Sequence, residues 1–238
     1  MTDKGPAFAS PPFDGTVAGL LYDRVRNGPD CVLLTWEDLQ ITTAEVFGVA
    51  QEFAAMLRDR DIGPGDTVLT MMEAGPNYIA MFLAASLVGA TWVPQAPDAK
   101  GPALAHVLSV VQPLLVIAAS EAVENLLAAG LGDPSRVMEV EGWAWLPTAG
   151  ENSLGEPPET EPDAVRAILF TSGTTGPPKG VIVTERMLLA SAAGCALASK
   201  CDPGDAFLMW EPMHHIGGPQ LVIMALVHGA RLVVVKRF

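Results

Sequence analysis

The chain has 238 residues, half of them hydrophobic, enough to bury a large core as one big domain or two subdomains. Its 27 acidic side chains against 14 basic ones leave a net charge of −13, a field that repels nucleic acid and anionic membranes, so neither is expected as a partner. Three cysteines (Cys31, Cys195, Cys201) make no disulfide framework and fit a reducing, cytoplasmic setting.

Residues 1–15 are rich in proline and glycine and lack the continuous apolar core of a signal peptide, so they read as a mobile arm. Thr42 and Glu45 form a capping-box pair, and Val46, Val49, Ala50, Phe53, Ala54 and Leu57 recur at helical spacing. That helix is expected to end near Arg60, because Gly63-Pro64-Gly65 cannot continue it. Thr67 to Met72 reads as a buried strand. Pro76 sits at a first helical position for a helix reaching Val88, with Gly89 as its C-cap. The apolar run Tyr78 to Val93 is shorter than a bilayer span and is broken by Gly89, so no membrane segment is expected.

Thr91 to Val93 gives a strand, 103–111 a helix, Leu114 to Ala118 a strand, Ser120 to Ala129 a helix and Arg136 to Val140 a strand. Residues 147–163 are acidic, proline-rich and without periodicity, a surface connection that need not be ordered. Beyond it come the strand Val165 to Phe170, an extended piece at Val181 to Val183, and a helix from Thr184 to about Ser199. Ala206 to Trp210 reads as a strand, Gln220 to Val227 as a helix closed by Gly229, and Arg231 to Val235 as a last strand. This alternation specifies an α/β fold with a mainly parallel sheet flanked by helices.

The most informative stretch follows Phe170: Thr-Ser-Gly-Thr-Thr-Gly-Pro-Pro-Lys-Gly, residues 171–180. Glycines let backbone N–H groups approach a ligand, four hydroxyls add donors, and Lys179 adds a point charge. Such an array suits the phosphates of a nucleotide, each charged hydrogen bond being worth about 1.5–3 kcal/mol. It is not a Walker A loop, because Lys179 is flanked by Pro178 and Gly180. Nor is it the dinucleotide fingerprint, because Gly173 and Gly176 are separated by two threonines.

Residues 171–180 resemble, position for position, the signature loop of the adenylate-forming superfamily, which contains acyl-CoA synthetases, luciferases and peptide-synthetase adenylation domains. The stretch Leu39 to Pro97 looks like that family's N-terminal region, and Pro212-Met213-His214-His215-Ile216-Gly217-Gly218 looks like its Pro-x-Phe-His-x-x-Gly segment. The resemblance implies that Thr171, Ser172, Gly173, Thr174, Thr175, Gly176 and Lys179 clamp the β- and γ-phosphates of ATP. It implies that His215 lies near the acyl pocket as a catalytic residue, with His214 and Trp210 as further candidates to line that pocket. It also implies Mg²⁺, with its ligand outside this chain, a small-molecule carboxylic acid (fatty, aromatic or short) as substrate, and CoA as acyl acceptor.

Two departures stand out. Glu185 replaces a histidine common in the family, and His214 replaces an aromatic residue; both are expected to bear on pocket shape and acid preference. For Glu185 a place in the first turn of a helix, where an acid is favoured, is a better reading than a catalytic one. Cys195 and Cys201 with His214 and His215 match no common zinc spacing, so no protein-held metal is expected.

The family's Tyr-Gly-x-Thr-Glu and Thr-Gly-Asp segments and its lid lysine are absent from the 238 residues. The chain therefore reads as the N-terminal part of an AMP-binding domain over 16–238. Residues 66–210 would form a central α/β subdomain, and 16–65 with 211–238 an incomplete second one. Alone, it is expected not to catalyse the full reaction, and to self-associate through a truncated face. The alternatives are a phosphate-binding half that needs a partner chain, a carrier-protein-loading adenylation domain, and a structural module without ligand.

Overall fold

Apolar runs of four to seven residues alternate with helical segments, and in the computed structural model they build two sheets. Residues 15–140, 155–171 and 176–235 are described. The helices are α1 (Val17–Asn27), α2 (Thr43–Arg58), α3 (Pro76–Val88), α4 (Gly101–Val111), α5 (Ser120–Ala128), α6 (Glu185–Ser199) and α7 (Gly217–His228). The strands are β1 (Val32–Trp36), β2 (Leu39–Thr42), β3 (Thr67–Met71), β4 (Thr91–Pro94), β5 (Leu115–Ala118), β6 (Val137–Glu139), β7 (Val165–Thr171), β8 (Lys179–Thr184), β9 (Ala206–Met209) and β10 (Arg231–Val234).

The larger sheet has the order β6-β5-β3-β4-β7-β8 and the smaller one β2-β1-β10-β9. All pairings are parallel except β1 with β2 and β7 with β8. The fold is therefore α/β with mostly parallel sheets flanked by helices. β9 pairs with β10 in the smaller sheet, which corrects a central unit running to residue 210: apolar periodicity identifies a strand but not the sheet it joins.

The strands of the larger sheet alternate between two cores. Val68, Trp92, Ile117, Ala167 and Leu169 face the main core with α2, α3 and α7, while Leu69, Met71, Val93 and Val116 face α4 and α5. Helix α3 is buried on nearly every side, as its continuous apolar sequence requires. It starts with Pro76 and ends at Gly89, whose φ of 78° is the left-handed geometry that a helix C-cap takes. Thr70 on β3 accepts from the Trp92 indole at 2.9 Å and lies 3.2 Å from the Tyr78 hydroxyl, so these three buried polar side chains are paired. Thr42 and Glu45 form the expected capping box on α2.

Residues 1–14 and 147–154 lie outside the described residues. The described part of the acidic connection, 155–163, has no regular structure but is held by three arginines. Arg26 pairs with Glu156 at 3.1 Å, Arg186 with Asp163 at 3.2 Å, and Arg166 donates to Thr160 at 3.1 Å.

Candidate functional site

The glycine-rich segment connects two paired antiparallel strands. Thr171 closes β7 and Lys179 opens β8, so the strands reach further into the motif than the expected extended piece 181–183. Thr171 and Lys179 are cross-strand partners, as are Phe170 and Gly180. Thr171, Gly176 and Lys179 are exposed, and the Thr171 hydroxyl makes only a 3.5 Å contact with the Lys179 carbonyl. A Cβ on Gly176 would meet nothing within 4 Å. Ser172, Gly173, Thr174 and Thr175 lie outside the described residues.

Gly180 has a different reason to be glycine. A Cβ there would come within 2.9 Å of Ile168 Cγ2 and 3.2 Å of Phe170 Cζ. The Phe170 side chain thus lies across its partner strand and braces the hairpin just below the turn. β7 runs parallel to β4, so the turn leaves the carboxyl end of the parallel strands, the end at which open α/β sheets bind ligands. Exposed hydroxyl, lysine and glycine groups there have the donor chemistry that a polyphosphate needs.

At its other end the hairpin is locked. The register shifts between Val165 and Ala167, and a bulge of this kind re-aims a side chain. Arg166, 6% exposed, donates to Glu185, 1% exposed, at 2.6 Å and to the Gly89 carbonyl at 2.8 Å. Glu185 also accepts from the Val17 backbone N–H. This corrects the expectation that Glu185 shapes the acid pocket. It occupies the first turn of α6, but its carboxylate is consumed in joining α1, β7 and the end of α3, while Thr184 caps the helix.

His214 and His215 lie on the turn between β9 and α7. Their rings meet edge to face, with centroids 4.9 Å apart and planes at 87°. His215, the predicted catalytic residue, is 63% exposed, and its Nδ1 is 3.8 Å from Glu211 Oε2. His214 is half-buried; burial, reinforced by His215 and opposed by Asp98, lowers its pKa to about 4. Asp98 belongs to the segment leaving β4, the strand beside β7, so the histidine turn and the hairpin adjoin the same strand and its exit. Sequence reasoning missed Asp98 and Glu211. Glu211 had a signal, standing four residues before His215 in a turn read only for its histidines. Among the described residues no group of three or more His, Cys, Asp or Glu side chains is placed to hold a metal ion. No helix among them is long and apolar enough to cross a membrane.

A family model described as "AMP-binding enzyme" matches residues 21–238. The chain belongs to the AMP-binding enzyme family. Among curated relatives, this AMP-binding chain is 28% identical over 97% of its length to the medium/long-chain-fatty-acid–CoA ligase FadD6 of Mycobacterium tuberculosis. It is 31% identical over 83% of its length to 4-coumarate–CoA ligase 1 of Oryza sativa subsp. japonica, and 29% identical over 92% to the isonitrile lipopeptide synthase of Streptomyces coeruleorubidus. It spans only 40%, 38% and 14% of those proteins. Among solved structures, VinN matches with a TM-score of 0.81 at 23% identity over 94% of this chain and 57% of VinN. The N-terminal domain of FACL13 from M. tuberculosis matches at 0.78 and 24% identity over 94% of this chain and 58% of that domain. Both likenesses concern the fold.

Proposed function

We propose that this AMP-binding chain contributes the pyrophosphate clamp and part of the acid site of an enzyme that activates a carboxylic acid with ATP. The product is an acyl-adenylate, and the acyl group then passes to CoA. The observation that carries the reading is the strand pair: an exposed Thr171 and Lys179, paired across the strands, bracket the glycine and hydroxyl sequence on a braced β7–β8 scaffold. Lys179 and Thr171 would neutralise and orient the departing phosphates, with Ser172, Gly173, Thr174, Thr175 and Gly176 adding donors. Charge neutralisation and positioning are the main terms in phosphoryl chemistry. His215 would contact the acid. Mg²⁺ would accompany ATP and draw its ligands from outside the described residues.

The matches to FadD6 and to 4-coumarate–CoA ligase 1 favour CoA as acceptor and a fatty or aromatic acid as substrate. The match to isonitrile lipopeptide synthase favours a second reading, in which the acyl group is loaded onto a carrier protein. The test is acid-dependent exchange of labelled pyrophosphate into ATP by the polypeptide made in the native host. Exchange that requires a carboxylic acid is the expected result; none with a broad acid panel would overturn the reading.

A further inference from the structure

The turn between β9 and α7 carries a carboxylate that the proposed reaction leaves unused. Glu211 lies four residues before His215, and its side chain rests on Gly217, the first residue of α7. A Cβ at Gly217 would fall 2.8 Å from Glu211 Cγ and 3.2 Å from Cδ. Only glycine lets the carboxylate settle there, beside the helix N-terminus, where negative charge is favoured. The Glu211 side chain is 27% exposed. From this seat its Oε2 is 3.8 Å from His215 Nδ1, and the His214 ring meets the His215 ring edge-on. An exposed imidazole is thus restrained by two neighbours, one of them a pure acceptor.

We propose that Glu211 is a positioning residue for His215: its carboxylate holds the proton on Nδ1 and leaves Nε2 as the acceptor presented to the substrate. In a neutral imidazole one nitrogen donates and the other accepts, and the partner of one nitrogen decides which tautomer is present. The 3.8 Å separation is longer than a hydrogen bond, and such contacts tighten when a site is ordered. An Nε2 acceptor favours an acid or acyl acceptor that brings an O–H, N–H or S–H group to this point. The inference rests on the reading of His215 as part of the acid site. His214 in turn faces Asp98.

The experiment is long-range ¹H–¹⁵N correlation of the four histidines in the ¹⁵N-labelled chain, near pH 8, where imidazoles are neutral. His215 is assigned through His215→Gln. The expected result is a predominantly Nδ1–H His215. In Glu211→Gln its Nδ1–H to Nε2–H ratio should fall by about fivefold, the effect of losing one ordinary hydrogen bond, with His106 and His228 unchanged. Glu211→Asp should restore part of the ratio. An Nε2–H His215 in the wild-type chain overturns the proposal whatever the variants do, and so does an unchanged ratio in a folded Glu211→Gln. Pyrophosphate binding through Lys179 does not involve Glu211, so failure of the clamp and failure of this tautomer are separate results.

Discussion

The two ends of the β7–β8 hairpin are built for opposite purposes. At the base, Arg166 and Glu185 are buried, charged and fully engaged, and they join β7 to α1, α3 and α6. At the tip, Thr171 and Lys179 are exposed and meet only each other's strand in the described residues. Opposite charge at the base is satisfied inside the protein, whereas positive charge at the tip is turned outward. Between them Phe170 lies over Gly180. Stability belongs to one end of the hairpin and the proposed ligand chemistry to the other.

The sharpest way to break this contrast is to remove one charge at the base. Arg166→Ala leaves Glu185 buried and unpaired, which should destabilise the chain by about 3–5 kcal/mol, measured by urea unfolding. A loss below about 1 kcal/mol would mean the base is not the anchor. Gly180→Val tests the brace between the ends. Its side chain would collide with Ile168 and Phe170, and overpacking of this kind costs about 1–3 kcal/mol; an unchanged urea midpoint would show that Phe170 does not brace the strand.

A smaller effect concerns the histidine turn. The His214 pKa in the folded state, about 4, lies below the usual 6.5 or so of an unfolded histidine, so the unfolded chain binds the proton more readily. The contribution is fully present above about pH 6.5, is lost as the pH falls, and levels off near about pH 4. His214→Gln should flatten that part of the stability–pH curve. An identical slope in the variant would assign the acid sensitivity elsewhere.

Much of this architecture is legible along the sequence because its causes are local. The Thr42–Glu45 capping box, Pro76 opening α3 and Gly89 closing it each depend on neighbouring residues, and each has its expected structure. The Thr171–Gly180 motif stands out from composition and order, and strands β7 and β8 flank it. What was not legible depends on distant pairing. Arg166 meets Glu185 only because a bulge and a hairpin bring them together. β9 joins β10 because of how the sheets assemble, not because of its own four residues. Glu211 gains its position from the missing Cβ of Gly217, a relation between a strand exit and a helix start that no periodicity encodes. The early start of β8 was hidden by Pro177, Pro178 and Gly180, residues that mark turns more often than strands.

The most direct test of the division between base and tip is a calorimetric titration of magnesium pyrophosphate into the wild-type chain and into Lys179→Ala, with urea unfolding of both. The account predicts that the wild type binds, that the variant binds at least about tenfold more weakly, the effect of losing one charged hydrogen bond, and that the two unfold within about 0.5 kcal/mol of each other. Equal affinity in the two chains, or a variant that loses stability as well as binding, would contradict it.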